Sequence, residues 1–132
     1  MAGLNLLADA CALMVFHGFG GQTMSSGGKL AMREGDVFVC PITVWEMTRK
    51  IAPGKLERPA PPGFKGCLSE WLRQVGYRIL PMTREACEQA NSLPVHRTDP
   101  MDRMLIALVL DRGMTVITDR ELFAQYGVST IW

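Results

Sequence analysis

The sequence predicts an α/β protein: a three-layer α/β/α sandwich around a central, mainly parallel sheet. Short apolar runs alternate with segments of helical periodicity along the whole chain. The first run, residues 4–8, shows no apolar–polar alternation, which suits a strand buried on both faces. The chain has 132 residues, 48% hydrophobic and 20% charged, so it can build one core and is too apolar for disorder.

The elements follow in order. Residues 4–8 are a strand ending at Asp9, and 10–17 read as a helix. Residues 18–28 hold five glycines with Ser25 and Ser26 and read as a flexible loop. A short helix is expected at 30–33 and a second strand at 37–40, with Pro41 at its end. Residues 43–51 form a helix with Val44, Met47 and Ile51 on one face. The four prolines of 53–62 make an extended connection. A helix over 64–75 turns Leu68, Trp71, Leu72 and Val75 inward, and 78–80 is a third strand. Thr83 caps a helix over 84–92. The helix over 100–112 has the clearest signals: Asp99 as cap, Pro100 in the first turn, Gly113 at the end. A strand at 114–117, a short helix at 120–124 and a strand at 128–131 complete a single domain over 1–132. The three tryptophans, Trp45, Trp71 and Trp132, are candidates for core or interface, with core the first reading.

Composition excludes several classes. The net charge is +1, so attraction for a polyanion must be local rather than global. No apolar run reaches the roughly 20 residues needed to span a bilayer. The start lacks the basic segment of a secretory signal. The four cysteines are widely spaced without a histidine pair, which argues for reduced thiols in a cytoplasmic protein and against a zinc site.

Chemistry points to the acids. Asp9 and Asp119 follow strands, Glu46 sits early in a helix, and Asp99 and Asp102 open the helix over 100–112. In open α/β sheets that edge is where sites form. Each acid also has a local reading. Thr43 and Glu46 fit a capping box, Asp99 an N-cap, Asp102 the favourable end of a helix dipole, and Asp119 a cap for the helix at 120. Asp9 is the hardest to explain this way, since an acid directly after Leu-Leu-Ala is costly unless partnered. Gathered carboxylates repel, and an oxygen-only cluster suits Mg²⁺ or Mn²⁺.

Four segments carry a resemblance. They are Leu-Leu-Ala-Asp9-Ala-Cys-Ala-Leu; Pro41-Ile-Thr-Val-Trp-Glu46-Met-Thr-Arg-Lys50 with Gly54-Lys55-Leu56; Leu93-Pro-Val-His96-Arg-Thr-Asp99-Pro-Met-Asp102-Arg103-Met-Leu-Ile-Ala107; and Val116-Ile-Thr118-Asp119-Arg120-Glu-Leu-Phe. Together they resemble the PIN-domain ribonucleases, especially the VapC-like toxins of bacterial toxin–antitoxin pairs. The resemblance implies a Mg²⁺-dependent endoribonuclease with Asp9, Glu46, Asp102 and Asp119 as metal-binding acids and Asp99 as an auxiliary ligand or cap. It implies Thr43 and Thr118 as residues that orient carboxylates or the metal's waters. It also implies an RNA substrate, a cognate antitoxin, and a homodimer formed through apolar surface on the helices at 30–33 and 64–75. Where members often carry a hydroxyl residue after the first acid, this chain has Ala10.

The basic residues beside the acids, Arg49, Lys50, Arg97, Arg103 and Arg120, are candidates for RNA phosphates. Their alternative is a solvated face with local ion pairs, such as Glu46 with Arg49 or Lys50. His96 reads as a loop or helix-entry residue and His17 as structural or exposed. A phosphoreceiver domain is disfavoured, because the third strand ends in Leu80-Pro81 and Thr118-Asp119 stands where a lysine would be needed. A phosphate-binding loop is disfavoured because Gly28-Lys29 is followed by Leu30. The rival function is a catalytically inactive PIN-like module acting through protein or RNA binding.

Overall fold

The computed structural model describes residues 5–19, 23–54 and 64–132. Five short strands form one parallel sheet: β1 (Leu6–Ala8), β2 (Val37–Val39), β3 (Arg78–Ile79), β4 (Thr115–Ile117) and β5 (Thr130–Ile131). Their order is β3-β2-β1-β4-β5, so β1 is central. Register sets Leu6 against Val37 on one side and Thr115 on the other.

Parallel strands need crossover connections, and helices supply them on both faces. Packed on one face are α1 (Ala10–Phe16), α2 (Ser26–Glu34), α3 (Pro41–Ile51) and α4 (Leu68–Val75). The other face carries α5 (Arg84–Ala90), α6 (Pro100–Arg112) and α7 (Leu122–Gln125). Strand alternation separates two cores. Leu6, Ala8, Val37, Val39 and Ile117 join Leu13, Met47 and Leu72. Leu7 and Val116 join Ile106, Leu108 and Phe123 on the opposite side. This is the predicted three-layer sandwich. Among the described residues no helix is long and apolar enough to cross a membrane.

Several expectations are corrected. The glycine-rich segment is not loop throughout: α2 begins at Ser26, with the Ser25 hydroxyl accepting from the Gly28 amide at 3.3 Å. Gly28 is there for packing, since a Cβ would lie 2.6 Å from both the Met24 side chain and the Trp132 backbone. The helix expected at 30–33 is the second half of α2. Proline at the first position starts α3 at Pro41, so Cys40, not Thr43, is its N-cap and the capping box does not form. Thr43 is buried instead, with its hydroxyl 3.8 Å from the Cys40 sulfur. Residues 64–67 lie outside α4, which Cys67 opens. Glu121, not Asp119, precedes the last helix. Trp45 and Val75 are each 46% exposed rather than turned into the core. Most of the predicted 53–62 connection, residues 20–22 and Leu4 lie outside the described residues.

His17 also gains a partner: its Nε2 is 2.7 Å from the Tyr77 hydroxyl, with Phe16, Trp71 and Tyr77 edge-on around the ring. Burial pushes the imidazole below its ordinary value. The folded state therefore prefers neutral His17, and its contribution to stability is present above about pH 6.5 and lost as pH falls below that. The melting temperature is expected to drop less between pH 7.5 and 5.5 in His17→Gln than in the parent. An equal drop in both proteins contradicts this.

Candidate active site

The site is built at the carboxyl edge of the sheet. Asp9 leaves β1 as the N-cap of α1, so one carboxylate oxygen accepts from the Ala12 amide at 2.8 Å. The other oxygen accepts from the Thr118 hydroxyl, just beyond β4. Thr118 Oγ1 in turn accepts from the Arg120 amide at 3.0 Å. Thr118 thus gives Asp9 the hydroxyl partner that Ala10 cannot.

Asp102 comes from the first turn of α6, whose N-cap Asp99 accepts from the Met101 and Asp102 amides at 2.8 and 3.3 Å. The Asp102 carboxylate is only 5% exposed and carries two arginines. One Arg120 nitrogen reaches both of its oxygens at 3.0 Å, and Arg97 Nε reaches Oδ2 at 3.1 Å. Glu46 lies in the second turn of α3.

Asp9, Glu46, Asp99 and Asp102 line one cleft of about 240 Å³, together with Ala10, Cys11, Arg49, Lys50, Arg97 and Arg120. Asp119 is exposed beside it and lines an adjoining depression with Thr118, Arg120, Gln125 and Trp132. Thr43 does not line the cleft. Nor does Arg103, whose guanidinium donates to the carbonyls of Leu93, Pro94 and Arg97 and so braces the segment before α6. His96 is exposed in that segment, and its amide donates to the Tyr126 hydroxyl at 3.2 Å. Among the described residues no ion pair joins Glu46 to Arg49 or Lys50; Arg49 lies over the Trp45 ring at 5.0 Å.

The electrostatics are those of crowded acids. Burial raises Asp9 above the usual carboxylate range, opposed by the Thr118 and Ala12 bonds and by Arg120. Burial also raises Glu46; Arg120 opposes it, and Asp102 and Asp9 add to it. Cys11 also lines the cleft. Burial and neighbouring Asp119 push its thiol up to about 12, so the group stays protonated at neutral pH.

The donor set fits a hard divalent cation: it is all carboxylate oxygen, and two of the acids pay a desolvation penalty that such an ion removes. As the side chains stand, no three acid, Cys or His groups among the described residues converge closely enough to hold one. Asp102 faces arginines instead.

Comparisons agree with this architecture. No curated protein matches the chain significantly. A chain in the crystal structure of FitAcB from Neisseria gonorrhoeae is similar, with TM-score 0.64 and 21% identity over 96% of each chain. A chain in the structure of FitAB bound to IR36 DNA fragment has TM-score 0.58 and 20% identity, over 96% of this chain and 93% of that one. The family model described as PIN domain matches residues 7–128, nearly the whole chain and every acid of the cleft, and the protein therefore belongs to the PIN-domain family.

Proposed function

We propose that the protein is a Mg²⁺-dependent endoribonuclease, with Mn²⁺ as a substitute, and the toxin of a bacterial toxin–antitoxin pair. The observation that carries this is the cleft itself, where acids from the end of β1, from α3 and from α6 meet arginines and a lysine. Asp9, Glu46 and Asp102 would hold the cation, with Asp119 entering from the rim; Asp99, of the two roles open to it, serves as the cap of α6. When bound, a divalent ion lowers the pKa of a water and stabilises charge on the phosphate. Thr118 fixes the orientation of Asp9. Arg49, Lys50, Arg97 and Arg120 line the same cleft and supply positive charge for RNA phosphates. Arg103, committed to backbone carbonyls, serves the fold of the segment instead. The resemblance of its four motif segments to the VapC-like toxins supports an antitoxin partner. Exposed Leu30 and Val75, on α2 and α4, are the apolar surface for a homodimer.

The alternative, an inactive binding module, draws on one feature: Asp102 is already occupied by arginines. One assay separates them. Single-stranded RNA is expected to be cleaved internally with Mg²⁺, to survive in EDTA, and to survive Asp9→Asn with Mg²⁺. RNA binding without cleavage, unchanged by Asp9→Asn, supports the inactive module.

A further inference from the structure

Asp102 is the most fully engaged acid of the cleft. Three charge-assisted hydrogen bonds converge on a carboxylate that is only 5% exposed. On the reading proposed above, the same carboxylate must offer an oxygen to a divalent cation. A guanidinium and a metal ion compete for the same lone pairs and repel each other.

The two arginines are not equivalent. Arg97 contributes one bond and its side chain is 49% exposed, so it can leave readily. Arg120 reaches both oxygens, is 28% exposed, and stacks over the Phe123 ring at 6.0 Å. Its backbone is pinned, because the amide donates to Thr118 Oγ1, the hydroxyl that also holds Asp9. Any movement of Arg120 is therefore a movement of its side chain alone. There is space for it. Arg120 lines both the acidic cleft and the open depression next to it, which has a volume of about 640 Å³.

We infer that Arg120 is an exchangeable internal counterion: its guanidinium holds Asp102 in the metal-free protein, yields that carboxylate to the metal, and turns to an RNA phosphate at the junction of cleft and depression. The inference rests on the metal-dependent reading. It gives one side chain two successive roles. Before loading, Arg120 offsets repulsion among Asp9, Glu46 and Asp102. After loading, it supplies positive charge to the substrate at the metal's edge. The metal-free cleft is then closed by its own arginine, and metal binding carries the added cost of opening it.

Mn²⁺ titration calorimetry without RNA tests this on the full chain, using the parent, Arg120→Gln and Arg49→Gln. Arg49 lines the cleft without a bond to Asp102, so its variant removes one positive charge and nothing else from that carboxylate. Arg120→Gln is expected to tighten Mn²⁺ binding by about tenfold or more, the scale of losing charged hydrogen bonds to a competing ligand. Arg49→Gln is expected to tighten it by less than about threefold, the scale of a screened surface charge. In the parent, the Arg120 Nη2–H resonance, which reports the bonds to Asp102, is expected to shift and lose protection on Mg²⁺ addition. Equal tightening in both variants, or an Arg120 resonance unmoved by saturating Mg²⁺, overturns the exchange and leaves the metal site standing. No binding by any variant at millimolar Mn²⁺ overturns the metal reading and the exchange together. Should Arg120→Gln fail to fold, Arg120→Met replaces it, because methionine keeps an apolar stem over Phe123 and removes both the charge and the hydrogen bonds to Asp102.

Discussion

Asp102→Asn is expected to lower RNA cleavage at saturating Mg²⁺ by about 10²–10³-fold, the loss typical of removing one preorganised electrostatic group at a reacting centre. Asn keeps the shape of the side chain and removes the charge. It leaves Arg120 and Arg97, which are 28% and 49% exposed, facing a neutral amide, and both can turn to solvent. The fold should therefore survive, and circular dichroism should match the parent. Asp99→Asn provides the contrast. Asp99 spends its carboxylate on the Met101 and Asp102 amides as the cap of α6. Asn caps helices about as well as Asp. Cleavage by Asp99→Asn should stay within about tenfold of the parent, with a small loss of stability. An inactive Asp99→Asn beside an active Asp102→Asn would reverse the roles assigned to the two acids.

Phe123→Ala is expected to destabilise the protein by about 3–5 kcal/mol, through lost transfer energy and the cavity left behind. Phe123 is fully buried and is among the largest side chains of the core that joins α6, β4 and α7. A domain of this size is stable by only about 5–15 kcal/mol. The melting temperature should fall by about 10–20 °C. The same ring lies beneath the Arg120 guanidinium, so metal and RNA binding should weaken even where the variant remains folded. A fall of only a few degrees would mean that the α7 layer contributes little to the cooperative unit.

The parallel sheet was legible because its strands are short apolar runs with a helix between each pair, and such units have few alternatives. Helix α6 was legible to the residue because Asp99, Pro100 and Gly113 are local signals that act through the backbone. Failures came where a distant partner decides. Two glycines near the start of a helix argue against helix on propensity. Yet α2 begins there, because Gly28 lets the helix pack against the chain at Trp132. Pro41 was read as ending a strand when it starts α3, which moved Thr43 into the interior and Glu46 into the second turn. At the site, acids at strand ends and helix starts could be listed from the sequence, since that edge is set by topology. Which arginine meets which acid could not be. Arg103 and Arg120 look alike in sequence, each following an acid. One is drawn to the carbonyls of a folded-back segment and the other to Asp102. Only the path of residues 93–97 decides between them.

The central place of β1 ties the cleft to the arrival of β4. β1 leaves the ribosome well before one of its two neighbours, β4, which lies more than a hundred residues later in the chain. The Thr118 hydroxyl that orients Asp9 arrives with it. Contacts of such high sequence separation form late, because a long loop must close before they are rewarded. A nascent chain therefore carries Asp9 and Glu46 long before it carries a cleft, with Asp102 following shortly before β4. The cleft comes into being once β4 docks, and a chain stalled before β4 holds the acids without the geometry that gathers them.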